Sequence, residues 1–162
     1  LRHGRIWPPR HGCEGRRLEV RAPHVALVVD TGPLYAALDR SDDLHLASLD
    51  LLTGTNEPLV IPSPVLVEVD QLVGARLHSG IWTAFLADVI ANVFVILDLA
   101  EDDYVRVREL CVKYSDLDLG LVDASVVAIA ERLNEPKIAT LDHRHFRAIR
   151  PRHVEAFELL PR

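Results

Sequence analysis

The stretch Ala26-Leu27-Val28-Val29-Asp30-Thr31-Gly32 decides the fold, because a short apolar run ends on an acid, a hydroxyl residue and a glycine. Such a run predicts a buried strand, and the polar residues mark its carboxyl end. In an open parallel sheet, functional groups collect beyond the carboxyl ends of the strands. Asp30 is therefore a candidate site residue, although a helix N-cap would use the same residue type before the helix predicted from Pro33.

The composition is that of a folded domain of moderate size. The chain has 162 residues, of which 49% are hydrophobic. Its longest apolar runs fall far short of the roughly 20 residues that a membrane helix requires, so we expect no membrane span. Cys13 and Cys111 have neither a disulfide-framework spacing nor a zinc-site spacing, which favours a reducing, cytoplasmic location.

The first 24 residues differ from the rest of the chain in charge. They hold six of the 18 basic residues but only two of the 24 acids, so the remainder is strongly acidic. They have no regular periodicity and no secretory pattern. We predict a disordered extension or a misassigned start over residues 1–24, and one domain over residues 25–162. An acidic domain needs metal ions or a local basic patch to bind a polyanion.

Strand and helix patterns alternate along the domain. Apolar runs predict strands over 26–29, 59–61, 93–97, 138–140 and 154–159, and amphipathic segments predict helices over 33–38, 42–52, 64–73, 81–90, 101–114, 120–133 and 144–149. This order predicts an α/β fold, a three-layer α/β/α sandwich around a mainly parallel sheet, with the last strand at an edge.

A second candidate acid lies on the predicted helix over 64–73. At about 100° per residue, Glu68 borders the apolar stripe that contains Val65 and Val69, whereas Asp70 points toward solvent. A carboxylate beside an apolar stripe is costly to desolvate unless it is paired or binds a metal. Glu68 is therefore either a metal ligand or a partner in a buried ion pair.

A third acid lies on the predicted helix over 120–133. We assign Ser125 and Arg132 to the polar face of this helix, and Asp123 lies nearly opposite them, on the buried side. Asp123 would instead be an N-cap if the helix started one residue later. Asp116 and Asp118 precede this helix and are either further members of the acidic cluster or solvated loop residues.

The fourth acid, Asp142, follows the strand that ends at Thr140. Because the carboxyl ends of parallel strands lie at one edge of a sheet, Asp30 and Asp142 can converge there. Carboxylates that share a pocket raise one another's pKa values. Divalent cations relieve this repulsion, and hard oxygen ligands select Mg²⁺ or Mn²⁺.

Four segments in this order resemble the pattern of PIN-domain proteins. They are Val-Val-Asp-Thr-Gly-Pro-Leu-Tyr-Ala from Val28, Pro-Val-Leu-Val-Glu-Val from Pro64, Leu-Val-Asp-Ala-Ser-Val-Val-Ala-Ile-Ala-Glu from Leu121, and Ala-Thr-Leu-Asp-His-Arg-His-Phe from Ala139. The likeness extends over residues 25–160 and is greatest to VapC-type toxins of bacterial toxin–antitoxin pairs. The Arg-rich first 24 residues depart from the family pattern.

The resemblance implies an endoribonuclease that depends on Mg²⁺ or Mn²⁺ and hydrolyses RNA with metal-activated water. It implies that the catalytic acids and metal ligands are Asp30, Glu68, Asp123 and Asp142. Thr31 and Thr140 match the hydroxyl positions that support such a site, and Asp118 is an additional acid of undecided role. The resemblance also implies a cognate antitoxin protein and a homodimer of toxin chains.

Basic residues cluster after the fourth acid, where Arg144, Arg147, Arg150 and Arg152 follow one another closely. We predict that Arg144, Arg147 and Arg150 contact the RNA backbone, because phosphate binding depends on such side chains. The alternative is an ordinary solvated surface.

Other functions fit parts of the sequence. Asp-Thr-Gly also occurs in aspartic proteases, but the predicted helix from Pro33 excludes their all-β surroundings. His143 and His145 are candidates for metal-free acid–base cleavage of RNA. A housekeeping nuclease of the same fold and a non-catalytic interaction module also remain open.

Overall fold

A computed structural model describes Trp7 and residues 25–162. The prediction for residues 1–24 therefore lies outside the described residues, except at Trp7. The strands are β1 (Leu27–Val29), β2 (Leu59–Pro62), β3 (Phe94–Leu97), β4 (Lys137–Ala139) and β5 (Glu158–Leu160). The helices are α1 (Thr31–Leu38), α2 (His45–Gly54), α3 (Ser63–Arg76), α4 (Ser79–Ile90), α5 (Glu101–Lys113), α6 (Leu121–Leu133) and α7 (His143–Ala148), with a 3₁₀ turn at Ser115–Leu117.

The five strands form one parallel sheet in the order β3-β2-β1-β4-β5. From β1 the chain adds β2 and β3 on one side, and it then returns to add β4 and β5 on the other. Val28 pairs with Val60 of β2 and with Ile138 of β4, which fixes β1 at the centre. The strand order therefore reverses between β1 and β4, and in open α/β sheets ligands bind at the carboxyl end of such a switch point.

The helices cover both faces of the sheet. Connections between parallel strands are right-handed, so the helices before β3 and those after it lie on opposite faces. In the structure α1 contacts α2 and α3, α5 packs on α6, and α6 lies on β1, β2 and β4, while α3 and α6 also contact each other. This arrangement confirms the predicted α/β fold with a parallel central sheet.

The centre of the core is formed by β1, β2 and α6. All residues of β1 and β2 are buried, and so is every residue of α6 from Ala124 to Ala130. The assignment of Ser125 to a polar face is therefore wrong. Its hydroxyl donates to the Val122 carbonyl at 2.7 Å, so the helix itself satisfies this buried group.

Other sequence-based boundaries agree with the structure to within a few residues. Helix α2 begins at His45 instead of Asp42, and β5 is a short edge strand that begins only at Glu158. None of the helices in the described residues has the length and apolar character that crossing a membrane requires.

Candidate active site

Asp30 lies between β1 and α1, at the switch point of the sheet. Its carboxylate accepts the Thr31 backbone N–H at 2.7 Å and the Thr140 hydroxyl at 2.8 Å, and the residue is 5% exposed. Burial raises the pKa of Asp30 to about 7, the two hydrogen bonds oppose this rise, and the charges of Asp123 and Glu68 add to it. Asp30 is thus both the N-cap of α1 and a buried acid that other acids surround.

Glu68 reaches the same region from α3. The Thr31 hydroxyl donates to Glu68 Oε2 at 2.5 Å, so the residue next to Asp30 fixes the second acid. Glu68 is half-buried beside buried Val65 and Val69, whereas Asp70 is exposed as predicted. Among the described residues, Glu68 accepts this hydrogen bond and takes part in no ion pair, so the alternative of a buried ion pair is not supported.

Asp142 follows β4 and caps α7. Its carboxylate accepts the His145 backbone N–H at 3.1 Å, and its own backbone N–H donates to the Thr140 hydroxyl oxygen at 3.0 Å. Thr140 therefore contacts both Asp30 and Asp142, one on each side of the switch point. The two strand-end acids converge as the sequence predicted.

Asp123 lies in the first turn of α6, with Gly120 as the N-cap, so the alternative that Asp123 is itself the cap is excluded. Burial raises the pKa of Asp123, His145 opposes the rise, and the charges of Asp142 and Glu68 add to it. The His145 Nδ1 atom lies 3.1 Å from Asp142 and 3.8 Å from Asp123, so this ring sits between two of the acids. The sequence alone indicates His145 only as an acid or base in metal-free cleavage, together with His143.

An open cleft of about 560 Å³ lies at this edge of the sheet. Its lining includes three of the predicted acids, Asp30, Glu68 and Asp142, together with Thr31, Gly32, Leu72, Leu141, His143 and Arg144. Asp123 is not part of the lining, but its charge interacts with those of Asp30, Glu68 and Asp142, which are part of it. Gly32 allows close packing here, since a Cβ atom at this position would lie 3.1 Å from Leu141 Cβ.

The four predicted acids thus occupy one region, but no described group of three or more His, Cys, Asp or Glu side chains already has the arrangement of a metal site. Thr31 holds Glu68, and Asp142 caps α7 and lies beside His145, so these carboxylates are separately anchored. Asp118 is exposed, in a left-handed backbone conformation after the 3₁₀ turn, and its described hydrogen bond is to the Ser115 carbonyl.

The predicted RNA-binding arginines line two different cavities. Arg144 lines the acidic cleft, whereas Arg147 and Arg150 line a second cavity of about 530 Å³ with Glu155 and Ala156. The fourth basic residue of this run, Arg152, forms an ion pair with Glu109. Of these arginines, Arg144 is therefore the one that lines the same cleft as the predicted acids.

A helix that starts directly after Asp30 excludes the surroundings of an aspartic protease, as the sequence predicted. The PIN-domain family matches residues 27–150, and with this match the chain belongs to the PIN-domain family. Among curated proteins, Ribonuclease VapC26 of Mycobacterium tuberculosis is 28% identical over 135 residues, which cover 83% of this chain and all of the relative.

Solved structures share the fold. The crystal structure of VapC20 from Mycobacterium tuberculosis, described as a sarcin-ricin loop cleaving toxin, superposes with a TM-score of 0.68 at 20% identity and covers 80% of this chain and 99% of its own. VapBC2 from Rickettsia felis, bound to a DNA fragment from its promoter, gives 0.60 at 18% identity, with 85% and 100% covered. FitAcB from Neisseria gonorrhoeae gives 0.56 at 15% identity, with 72% and 87% covered.

Proposed function

We propose that this chain is a divalent-metal-dependent endoribonuclease that acts as the toxin of a toxin–antitoxin pair. One observation carries the proposal: three of the four predicted acids line a single cleft at the switch point of a PIN-domain sheet. The similarity to Ribonuclease VapC26 supports RNA as the substrate class.

The chemistry of the site suits a hard divalent cation. Its donors are carboxylate and hydroxyl oxygens, which match Mg²⁺ or Mn²⁺ better than softer metals. Burial raises the pKa values of Asp30 and Asp123 and neighbouring acids add to the rise, so both carboxylates gain from a nearby positive charge. When bound, the cation supplies a water of lowered pKa and neutralises charge on the phosphodiester.

The residues of the chain have distinct roles in this proposal. Asp30, Glu68 and Asp123 would hold the cation, and Asp142 would hold a second ion or orient a water molecule. Thr31 fixes Glu68, and Thr140 fixes Asp30 while also accepting from the Asp142 backbone. These hydrogen bonds orient the acids before the substrate arrives, which reduces the reorganisation needed during the reaction.

We assign substrate binding to Arg144. It lines the same cleft as the acids, so its guanidinium contacts a phosphate next to the one that is cleaved. Arg147 and Arg150, which line the second cavity, extend this contact along the RNA. Without this basic edge, the strongly acidic domain would repel a polyanion.

Substitution of the acids tests the catalytic proposal. With Mg²⁺ or Mn²⁺ present, Asp30→Asn and Glu68→Gln should each lower cleavage of a cellular RNA pool at least about 100-fold. Asp70→Asn is the matched control, because Asp70 lies on the same helix as Glu68 but is exposed. Cleavage by both site variants at the rate of the control would overturn the assignment.

The proposed partner is a cognate antitoxin, and the VapBC2 neighbour supports a partner of this kind. An antitoxin segment with a Lys or Arg near Asp30 and Glu68 would compete with the cation for these acids, and its apolar residues would add affinity. We also propose that the toxin chains pair as a homodimer.

Co-expression tests the toxin proposal separately from the enzyme proposal. The product of a neighbouring reading frame should copurify with the chain, suppress RNA cleavage and restore growth. If the chain cleaves RNA but does not inhibit growth when expressed alone, a housekeeping nuclease of the same fold replaces the toxin. If it neither cleaves RNA nor inhibits growth, a non-catalytic interaction module replaces both.

A further inference from the structure

A buried aromatic cluster outside the acidic cleft contains a residue that precedes the PIN-domain match by 20 positions. Trp7 is 2% exposed. Its ring lies edge-on to Phe94 of β3 at 5.3 Å and to Phe85 of α4 at 6.1 Å between centroids. Trp82 stacks on the same Phe85 ring at 5.4 Å. The four aromatic rings therefore form one continuous cluster.

A polar contact accompanies this packing. The Trp7 backbone N–H donates to Asp88 Oδ2 at 3.4 Å, and Asp88 is fully buried in the last turn of α4. A buried carboxylate is costly unless donors surround it, so a backbone donor from Trp7 contributes to satisfying it. The contact also fixes the main chain at Trp7, in addition to its side chain.

The aromatic cluster lies at an edge of the sheet, where Trp7 covers apolar side chains. Strand β3 lies at the edge of the sheet, and α4 leads directly into it. Phe85 and Phe94 are nevertheless 0% and 2% exposed, with Trp7 packed on both rings. A tryptophan side chain covers on the order of 200 Å² of apolar surface, so its removal would open this edge to water.

We propose that the pocket formed by Phe85, Phe94, Trp82 and Asp88 is a docking site for the N-terminal segment of the same chain, with Trp7 as its anchor. The connection is long enough, because the 17 residues between Trp7 and Val25 can extend over about 60 Å. Charge is complementary, since six of the 18 basic residues precede His24 and the rest of the chain is strongly acidic. The proposal is independent of RNA cleavage.

Tryptophan fluorescence tests the docking directly, because the chain has only two tryptophans, Trp7 and Trp82. In Trp82→Phe, which keeps an aromatic ring at the stack, Trp7 is the only remaining tryptophan, and its emission is excited selectively over that of the tyrosines. We expect blue-shifted emission and weak acrylamide quenching that do not change on dilution. Red-shifted, readily quenched emission would overturn the proposal, and protection that is lost on dilution would assign the pocket to Trp7 of a second copy.

Thermal unfolding provides a second measurement that does not rely on Trp82→Phe. Trp7→Ala should lower the melting temperature by about 10 °C, because it removes a large buried side chain. Ile90→Ala is the matched control, because Ile90 ends α4, the helix that carries Phe85 and Asp88, but is 81% exposed. We expect little change in its melting temperature. Equal melting temperatures for the two variants would contradict docking by Trp7.

Discussion

The Thr140 hydroxyl donates to Asp30 Oδ2 at 2.8 Å and thereby joins the carboxyl ends of β4 and β1. The same hydroxyl oxygen accepts the Asp142 backbone N–H at 3.0 Å. One side chain therefore links two of the proposed catalytic acids across the point where the strand order reverses. The position of the acids follows from sheet topology, and their orientation follows from the hydroxyl residues between them.

The buried acid Asp30 makes stability depend on pH when metal is absent. Its pKa is about 7 in the folded protein, against 3.8 for the ordinary group, so the folded state retains a proton that the unfolded state loses. Stability should therefore fall as pH rises from about 4 to 7, by on the order of 4 kcal/mol at most. Urea unfolding of wild type in EDTA across this range measures the fall.

The variant Asp30→Asn isolates this contribution, because its side chain does not titrate. Its stability should decline less over the same pH range than that of wild type, whereas Asp70→Asn should retain the wild-type decline. If Asp30→Asn and wild type lose the same stability, Asp30 is not the group responsible.

Asp123 should be more important for activity than for folding. Burial and the charges of Asp142 and Glu68 raise its pKa, so a neutral side chain of the same shape removes repulsion. Asp123→Asn should abolish RNA cleavage, while its melting temperature in EDTA stays unchanged or rises. A protein that unfolds on this substitution would identify Asp123 as a structural residue of α6 and remove it from the metal ligands.

Arg144 should contribute to RNA binding through phosphate charge. Arg144→Ala should weaken binding of single-stranded RNA and lower the slope of log K against log salt by about 0.7, the value for one contact. Arg108→Ala, which removes an exposed charge from α5 outside the cleft, is the control. Binding titrations at several salt concentrations measure the two slopes. Identical slopes for the two variants would show that Arg144 does not contact an RNA phosphate.

Much of the fold could be predicted because local patterns and tertiary structure agree. The alternation of apolar strands and capped helices is visible in the sequence, and the resemblance to PIN-domain proteins is confirmed by the family match. Asp30 and Asp142 could be placed together because both follow strands, and a parallel sheet brings such positions to one edge.

Features that depend on packing across the chain could not be predicted. The hydroxyl of Ser125 is satisfied within α6, so a residue that looks polar in sequence is buried. The position of His145 between Asp142 and Asp123 depends on how α7 meets α6. The burial of Trp7 depends on contacts with α4 and β3, about 80 residues away along the chain, and no local periodicity indicates it.

The chemistry of the RNA ends distinguishes hydrolysis by metal-activated water from acid–base catalysis by histidines. Purified protein is incubated with cellular RNA in Mg²⁺, in Mn²⁺ or in EDTA, and the ends of the fragments are mapped, with Asp30→Asn in parallel. Hydrolysis by water predicts 5′-phosphate and 3′-hydroxyl ends that form only with the divalent ion and only with wild type. Cleavage that persists in EDTA and leaves cyclic phosphate ends would rule out metal-dependent hydrolysis and favour acid–base catalysis by His143 and His145.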